Sequence, residues 1–118
     1  VTLKPIEYFF KGQHPGTEHY SAIRAEVPDI RVPATQTNTA LLGRLLQSGS
    51  LLVAGQALSH CVAHTMRDIA DNMPQDELNK LVLLTDCCST VPGFEDASRQ
   101  FIAEMRERGV RCLSSIEI

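Results

Sequence analysis

The chain has 118 residues, 43% of them hydrophobic, and a formal net charge of −3 at pH 7. This is enough for one globular domain, residues 1–118, with one core. The acidic balance and scattered basic residues argue against nucleic acid or an anionic membrane surface as partners. No segment approaches the roughly 18 apolar residues of a membrane span, and there is no secretory signal.

The four cysteines lack the paired spacing of a zinc site, and the adjacent Cys87 and Cys88 are poorly placed for a mutual disulfide. This usage predicts a reduced, cytoplasmic compartment.

In chain order, the first predicted element is a strand at 6–10, where aromatic and β-branched residues are concentrated. Lys11 follows it, at the end of the strand where ligands collect in open α/β sheets, although a solvated lysine is commoner there. His14 and His19 match no zinc spacing, so we interpret them as solvated or loop-bonding. Residues 23–36 contain two prolines and predict a connecting loop.

A helix with an apolar face is predicted from a cap at Thr37 or Asn38, and Ser48-Gly49-Ser50 is expected to end it. The face comprises Ala40, Leu41, Leu42, Leu45 and Leu46. The apolar segment 51–54 predicts a buried strand that ends at Gly55. A second helix then follows, with Cys61 at its start and one apolar face formed by Val62, Ala63, Met66, Ile69 and Ala70.

The C-terminal half repeats this alternation. A break at 71–74 and a polar turn or short helix at 75–79 lead to a strand at 80–85, with Asp86 at its carboxyl end. Residues 95–108 predict a helix that stops at Gly109, and a short strand follows at 110–113. The β-α-β order predicts an α/β fold with a parallel sheet.

Cys61 is the strongest candidate for chemistry. A helix N-terminus presents unpaired N–H groups and the positive end of the helix dipole, which favour a thiolate over a thiol and can hold an oxyanion. A small buried core residue is the alternative, because free cysteines are often buried. His60 and His64 stand four residues apart and could in principle share a metal, but packing or hydrogen bonding is the simpler interpretation.

Two segments resemble a known family. Residues 55–62, GQALSHCV, resemble the G-x-A-x-x-x-C-V segment around the nucleophile of the isochorismatase-like cysteine hydrolases, which include the nicotinamidases. Residues 11–15, KGQHP, with a later Tyr20-Ser21, resemble the family's K-G-x-x-P segment. Many members carry an acidic residue where this chain has Ser59. The resemblance extends from about Ile6 to the last strand and implies a three-layer α/β/α domain with a parallel, Rossmann-like sheet.

The resemblance also implies roles for individual residues. It makes Cys61 the nucleophile and Lys11 a second member of an Asp-Lys-Cys triad, and it places a cis peptide bond at Gln56-Ala57. The N–H groups of Ala57 and Cys61 would form the oxyanion hole. His60, Tyr20 and Asp86 are candidate pocket residues. Packing or hydrogen bonding is the simpler role for His60 and Tyr20, and tying down a loop or capping is the simpler role for Asp86.

The family's aspartate precedes the lysine, where this chain offers only Glu7, a poor substitute inside the predicted strand. We therefore expect residues 1–118 to be the C-terminal portion of the domain, without its N-terminal strand and aspartate segment, and inactive alone. No metal ligands are predicted here; the family's metal ligands, where present, would lie upstream of Val1, so metal dependence stays open.

The function that this resemblance implies is hydrolysis of the C–N bond of a small-molecule amide through a thioester, in the manner of nicotinamidases. The alternative is a non-catalytic member of the fold that acts as a binding or oligomerisation module. A third possibility is a relative with a different reaction and no cysteine nucleophile, against which Cys61 argues. As partners we expect the amide and either a second copy of the chain or the missing N-terminal segment.

Overall fold

A computed structural model describes residues 5–118 of the chain. Its sheet contains β1 (Leu51–Gln56), β2 (Leu81–Ser89) and β3 (Arg111–Leu113), in that spatial order and all parallel. Helix α1 (Thr39–Leu46) precedes β1, α2 (Cys61–Asp71) connects β1 to β2, and α3 (Glu95–Arg108) connects β2 to β3. The predicted α/β class with a parallel sheet is confirmed.

Short 3-10 helices occupy Pro33–Thr35, Gln75–Lys80 and Ser115–Glu117. None of the helices within 5–118 combines the length and the apolar character needed to cross a bilayer.

The helix ends follow the local sequence. Asn38 is the cap of α1, because its side chain accepts a hydrogen bond of 3.0 Å from the N–H of Leu41. Helix α3 stops at Gly109, whose φ of 105° is the left-handed conformation that glycine adopts most easily. These two signals explain why α1 begins, and α3 ends, close to the predicted position.

The core lies between the helices and the middle strand. Leu81, Val82 and Leu83 of β2 are fully buried, as expected for a strand paired on both sides. Phe101 and Met105 of α3 are also fully buried. All five residues of the predicted apolar face of α2 are buried, which fixes the orientation of the helix that carries Cys61.

The predicted strand at 6–10 is wrong. These residues have no regular secondary structure, and Ile6, Tyr8 and Phe10 are each more than 70% exposed. A strand needs a neighbour that satisfies its backbone hydrogen bonds, and no strand of the described chain pairs with this segment. Glu7 instead forms an ion pair with Arg44 of α1.

Three smaller predictions also need correction. Strand β1 continues past Gly55 to Gln56 and alternates between half-buried and exposed residues, because Leu51 and Val53 pack against the core whereas Leu52, on the opposite face, is exposed. Strand β2 extends to Ser89, so Asp86 lies within the strand and not after it. Ala40, assigned to the apolar face of α1, is exposed.

Candidate active site

Cys61 is the first residue of α2 and is half-buried. Strand β1 ends at Gln56, and the peptide bond to Ala57 is cis, at the position where the family resemblance places one. The turn that follows is held to the sheet by a hydrogen bond of 2.7 Å from the Leu58 N–H to the Ser89 carbonyl. The sulfur is therefore held where β1 passes into the N-terminus of a helix, as the sequence predicts.

The backbone N–H groups of this turn divide into two sets. His60 and Val62 both donate to the Ala57 carbonyl at 3.0 Å, and Leu58 donates to Ser89. Within residues 5–118, no hydrogen bond engages the N–H of Ala57 or of Cys61. The two N–H groups that the resemblance assigns to the oxyanion hole are thus left without an internal acceptor, as is that of Ser59, whereas the N–H groups of Leu58, His60 and Val62 have one.

Lys11 lies close to this turn although its segment is not a strand. Lys11 and Cys61 line one cavity of about 210 Å³, together with residues 53–56 of β1, Val62 and Thr65. The Lys11 Nζ donates a hydrogen bond of 2.9 Å to the His19 carbonyl. The fold therefore brings a cysteine and a lysine that are far apart in sequence into the lining of one cavity. Lys11 also lines a second cavity, of about 70 Å³, together with His19.

A larger hollow of about 650 Å³ lies over the loop at 16–30, and its lining contains neither Cys61 nor Lys11. Size alone does not identify a reaction site. The cavity of about 210 Å³ is the candidate active site because Cys61 and Lys11, the two candidate catalytic residues, both line it.

His60, which precedes Cys61 in the chain, and Tyr20 do not line this cavity. The His60 ring contacts the edge of Phe94 with centroids 4.8 Å apart, and its Nδ1 is 2.8 Å from the Ser59 Oγ. The Tyr20 ring lies 6.0 Å from His60. Phe94 was predicted only as part of a turn; its contact with His60 joins distant segments, which sequence spacing does not indicate.

Asp86, a candidate pocket residue, is exposed and binds the C-terminal segment instead. Its carboxylate accepts hydrogen bonds from the Ser115 N–H at 2.8 Å and the Ser115 Oγ at 2.6 Å. These bonds hold the pKa of Asp86 below its usual value. The alternative given for this residue, that it ties down a loop, fits these contacts.

The loop histidines make local contacts. His14 Nδ1 and His19 Nε2 lie 3.3 Å and 2.9 Å from the Thr17 hydroxyl. His64, on α2, is paired with Glu26 at 3.2 Å. In the part of the chain from residue 5 onward, no three His, Cys, Asp or Glu side chains are grouped as metal ligands.

All four cysteines are free thiols. Burial raises the pKa of Cys88 in β2 and of Cys112 in β3. Desolvation, followed by the hydrogen bond and the negative charge of Asp86, raises the pKa of Cys87. These three thiols are poorly suited to act as nucleophiles at neutral pH.

Comparison with known proteins gives structural neighbours only. No family model matches the chain, and no curated protein sequence matches it. A nicotinamidase/pyrazinamidase of Acinetobacter baumanii is similar over 86% of this chain and 44% of that one, with 23% identity and a TM-score of 0.60.

PnC1 from L. infantum, solved in complex with nicotinate, is similar over 85% of this chain and 44% of its own, with 26% identity and a TM-score of 0.61. The yeast nicotinamidase Pnc1p is similar over 84% and 41%, with 16% identity and a TM-score of 0.60. The chain thus spans less than half the length of each neighbour. Residues 5–118 have the fold of part of an isochorismatase-like domain, the fold that these nicotinamidases share.

Proposed function

We propose that this chain carries the cysteine and lysine of a C–N hydrolase that acts on a small-molecule amide, as in nicotinamidases. The observation that supports this most is the turn at 57–61. It leaves the N–H groups of Ala57 and Cys61 without an internal acceptor beside a cavity that Cys61 and Lys11 both line. Oxyanion stabilisation by backbone N–H groups is a large contribution in acyl transfer.

In the proposed reaction the Cys61 Sγ attacks the amide carbonyl carbon. The carbonyl oxygen becomes an oxyanion, which the N–H groups of Ala57 and Cys61 hold. The C–N bond then breaks, and the proton lost by the thiol leaves with the nitrogen. Water attacks the resulting thioester, the C–S bond breaks, and the acid is released with the thiol restored. Lys11 stabilises negative charge on the sulfur and on the transition state.

The third member of the triad is part of the same proposal. Among the described residues no carboxylate forms an ion pair with Lys11, and Glu7 is engaged by Arg44. The resemblance places the aspartate before the lysine, so we assign the full reaction to a polypeptide that also supplies that segment. Residues 1–118 alone are expected to hydrolyse nicotinamide poorly or not at all.

Alkylation with iodoacetamide tests the nucleophile without requiring turnover. Cys61 is half-buried at a helix N-terminus, whereas Cys112 is 7% exposed and lies in β3. A core thiol reacts only after local opening, and an opening free energy of about 3 kcal/mol slows it roughly a hundredfold. We therefore expect Cys61 to be modified at least about a hundredfold faster than Cys112 near pH 7, as measured by peptide mass spectrometry.

The control is Lys11→Met, which keeps the length of the side chain and removes its charge. It should slow the modification of Cys61 and leave Cys112 unchanged. Equal rates at Cys61 and Cys112 in the unmodified chain would contradict the proposal.

Exposed apolar residues favour a second candidate function, a binding or oligomerisation module. Ile6, Tyr8 and Phe10 are 74–79% exposed, and Leu52 of β1 is 52% exposed. Large exposed apolar residues are typical of surfaces that associate. Light scattering coupled to size exclusion should then show a dimer or larger species that Tyr8→Ser weakens. A monomer at all concentrations would exclude self-association.

A further inference from the structure

Lys11 lacks the support of regular secondary structure. It belongs to a segment without a strand or helix, and its side chain is exposed. Within the described chain its ammonium has one hydrogen-bond acceptor, the His19 carbonyl at 2.9 Å. A lysine side chain has several freely rotating bonds, so the position of its charge depends on what holds that carbonyl.

The loop 19–26, which contains His19, is attached to the first turns of α2 by three contacts. The Ala22 N–H donates to the Thr65 Oγ1 at 3.0 Å. The Tyr20 ring lies 5.1 Å from the His64 ring. The Glu26 Oε1 lies 3.2 Å from the His64 Nδ1.

Buried side chains also anchor the loop 19–26 to the core. Ser21 and Ile23 are each 1% exposed and Ala25 is fully buried, so the loop 19–26 alternates between core contacts and contacts to α2. Its far end is closed by a hydrogen bond of 2.8 Å from the Glu26 N–H to the Glu18 carbonyl. The loop is therefore a fixed support, and the three contacts to α2 set its distance from Cys61.

We propose that Thr65 and His64 are positioning residues for Lys11. They hold the loop 19–26 against the helix that starts at Cys61, and the His19 carbonyl of that loop accepts the hydrogen bond that fixes the Lys11 ammonium. Thr65 itself lines this cavity with Lys11 and Cys61. The inference rests on the proposed function, because it assigns Lys11 to the same site as Cys61.

The test uses two alkylating reagents of similar size and different charge, iodoacetate and iodoacetamide. A cation beside the Cys61 sulfur attracts the anionic reagent, so the ratio of the two rates at Cys61 measures the local positive charge. At about 4 Å in a water-like medium one charge changes such a ratio by about fivefold. A variant that only loosens the fold changes both rates together and leaves the ratio unaltered.

Lys11→Met sets the ratio expected without the cation. Thr65→Val keeps the shape of the side chain and removes the acceptor for the Ala22 N–H, so the ratio should fall most of the way to that of Lys11→Met. Thr65→Ser keeps the hydroxyl and should restore the ratio of the unmodified chain. High salt should reduce the difference between variants, because it screens exposed charges.

A second pair of variants covers the case in which Thr65→Val fails to fold. Glu26→Ala removes the contact to His64 and should lower the ratio about twofold, a part of the full effect. Glu18→Ala removes the same charge from the neighbouring loop, and its side chain makes no hydrogen bond or ion pair within residues 5–118, so the ratio should stay unchanged. Equal ratios in Glu26→Ala and Glu18→Ala would count against positioning through His64.

The outcomes separate the two proposals. If Lys11→Met lowers the ratio and both Thr65→Val and Glu26→Ala leave it unchanged, the positioning role is wrong and the cysteine–lysine site stands. If Lys11→Met itself leaves the ratio unchanged, Lys11 does not act on Cys61, and both proposals are overturned. A ratio that falls in Thr65→Val and recovers in Thr65→Ser supports the inference.

Discussion

Phe101 anchors α3 to the sheet, and its replacement by alanine is the most direct test of the described packing. The side chain is fully buried, and the guanidinium of Arg67 on α2 lies 5.2 Å from its ring. Truncating a buried phenylalanine removes its transfer free energy and leaves a cavity, at a cost of about 3–5 kcal/mol. Domains are stable by only about 5–15 kcal/mol, so Phe101→Ala should lose a large fraction of the unfolding free energy.

Urea unfolding monitored by circular dichroism measures this loss. With a slope of about 2 kcal/mol per molar urea, the midpoint should move down by about 1.5–2.5 M. Phe10→Ala is the matched control, because Phe10 is 79% exposed and its truncation should change the unfolding free energy by no more than about 0.5 kcal/mol. A loss below about 1 kcal/mol for Phe101→Ala, or equal losses for the two variants, would refute the packing of α3 described above.

Three further predictions concern the cap of α1, the glycine that ends α3, and the carboxylate of Asp86. Asn38→Ala removes the cap of α1 and should lower the unfolding free energy by about 1 kcal/mol, whereas alanine at the exposed Asn79 should change it little in the same urea assay. Gly109→Ala meets only ordinary contacts but forces alanine to a φ of 105°, so it should cost about 1–2 kcal/mol in thermal unfolding; an unchanged melting temperature would contradict this. Because the pKa of Asp86 is lowered in the fold, its contribution is complete above about pH 5 and is lost as the pH falls below about 4, so the protection of the Ser115 amide, relative to its intrinsic exchange rate at each pH, should fall there. Asp86→Asn keeps an oxygen acceptor that does not titrate, so it should remove that pH dependence.

The helices were predictable because their signals are local. The 3.6-residue period of α2 and α3, the Asn38 cap and Gly109 lie within or beside the elements that they define. Residues 6–10 have the composition of a strand, but a strand also requires a partner, and composition does not reveal whether one is present. In the same way, the apolar composition of β1 does not reveal that this strand lies at the edge of the sheet within residues 5–118 and has an exposed face.

Some features of the candidate site could likewise be predicted from the sequence, and others could not. Cys61 follows from the strand, turn and helix pattern, and the family resemblance adds Lys11 and the cis bond. The contacts of Glu26 and Ala22 with α2 join residues about forty positions apart, and no periodicity records such a pairing. Asp86 was misplaced because β2 continues beyond its apolar part, where exposed polar residues resemble the end of a strand.

The position of β2 in the middle of the sheet has a consequence for how the molecule tolerates change. The hydrogen bond from the Leu58 N–H to the Ser89 carbonyl attaches the turn before Cys61 to β2. The buried part of β2 should exchange its amide protons most slowly. The cation is borne by a segment without ladder hydrogen bonds. Mutations that reshape residues 12–26 should therefore displace the Lys11 ammonium while the sulfur keeps its place.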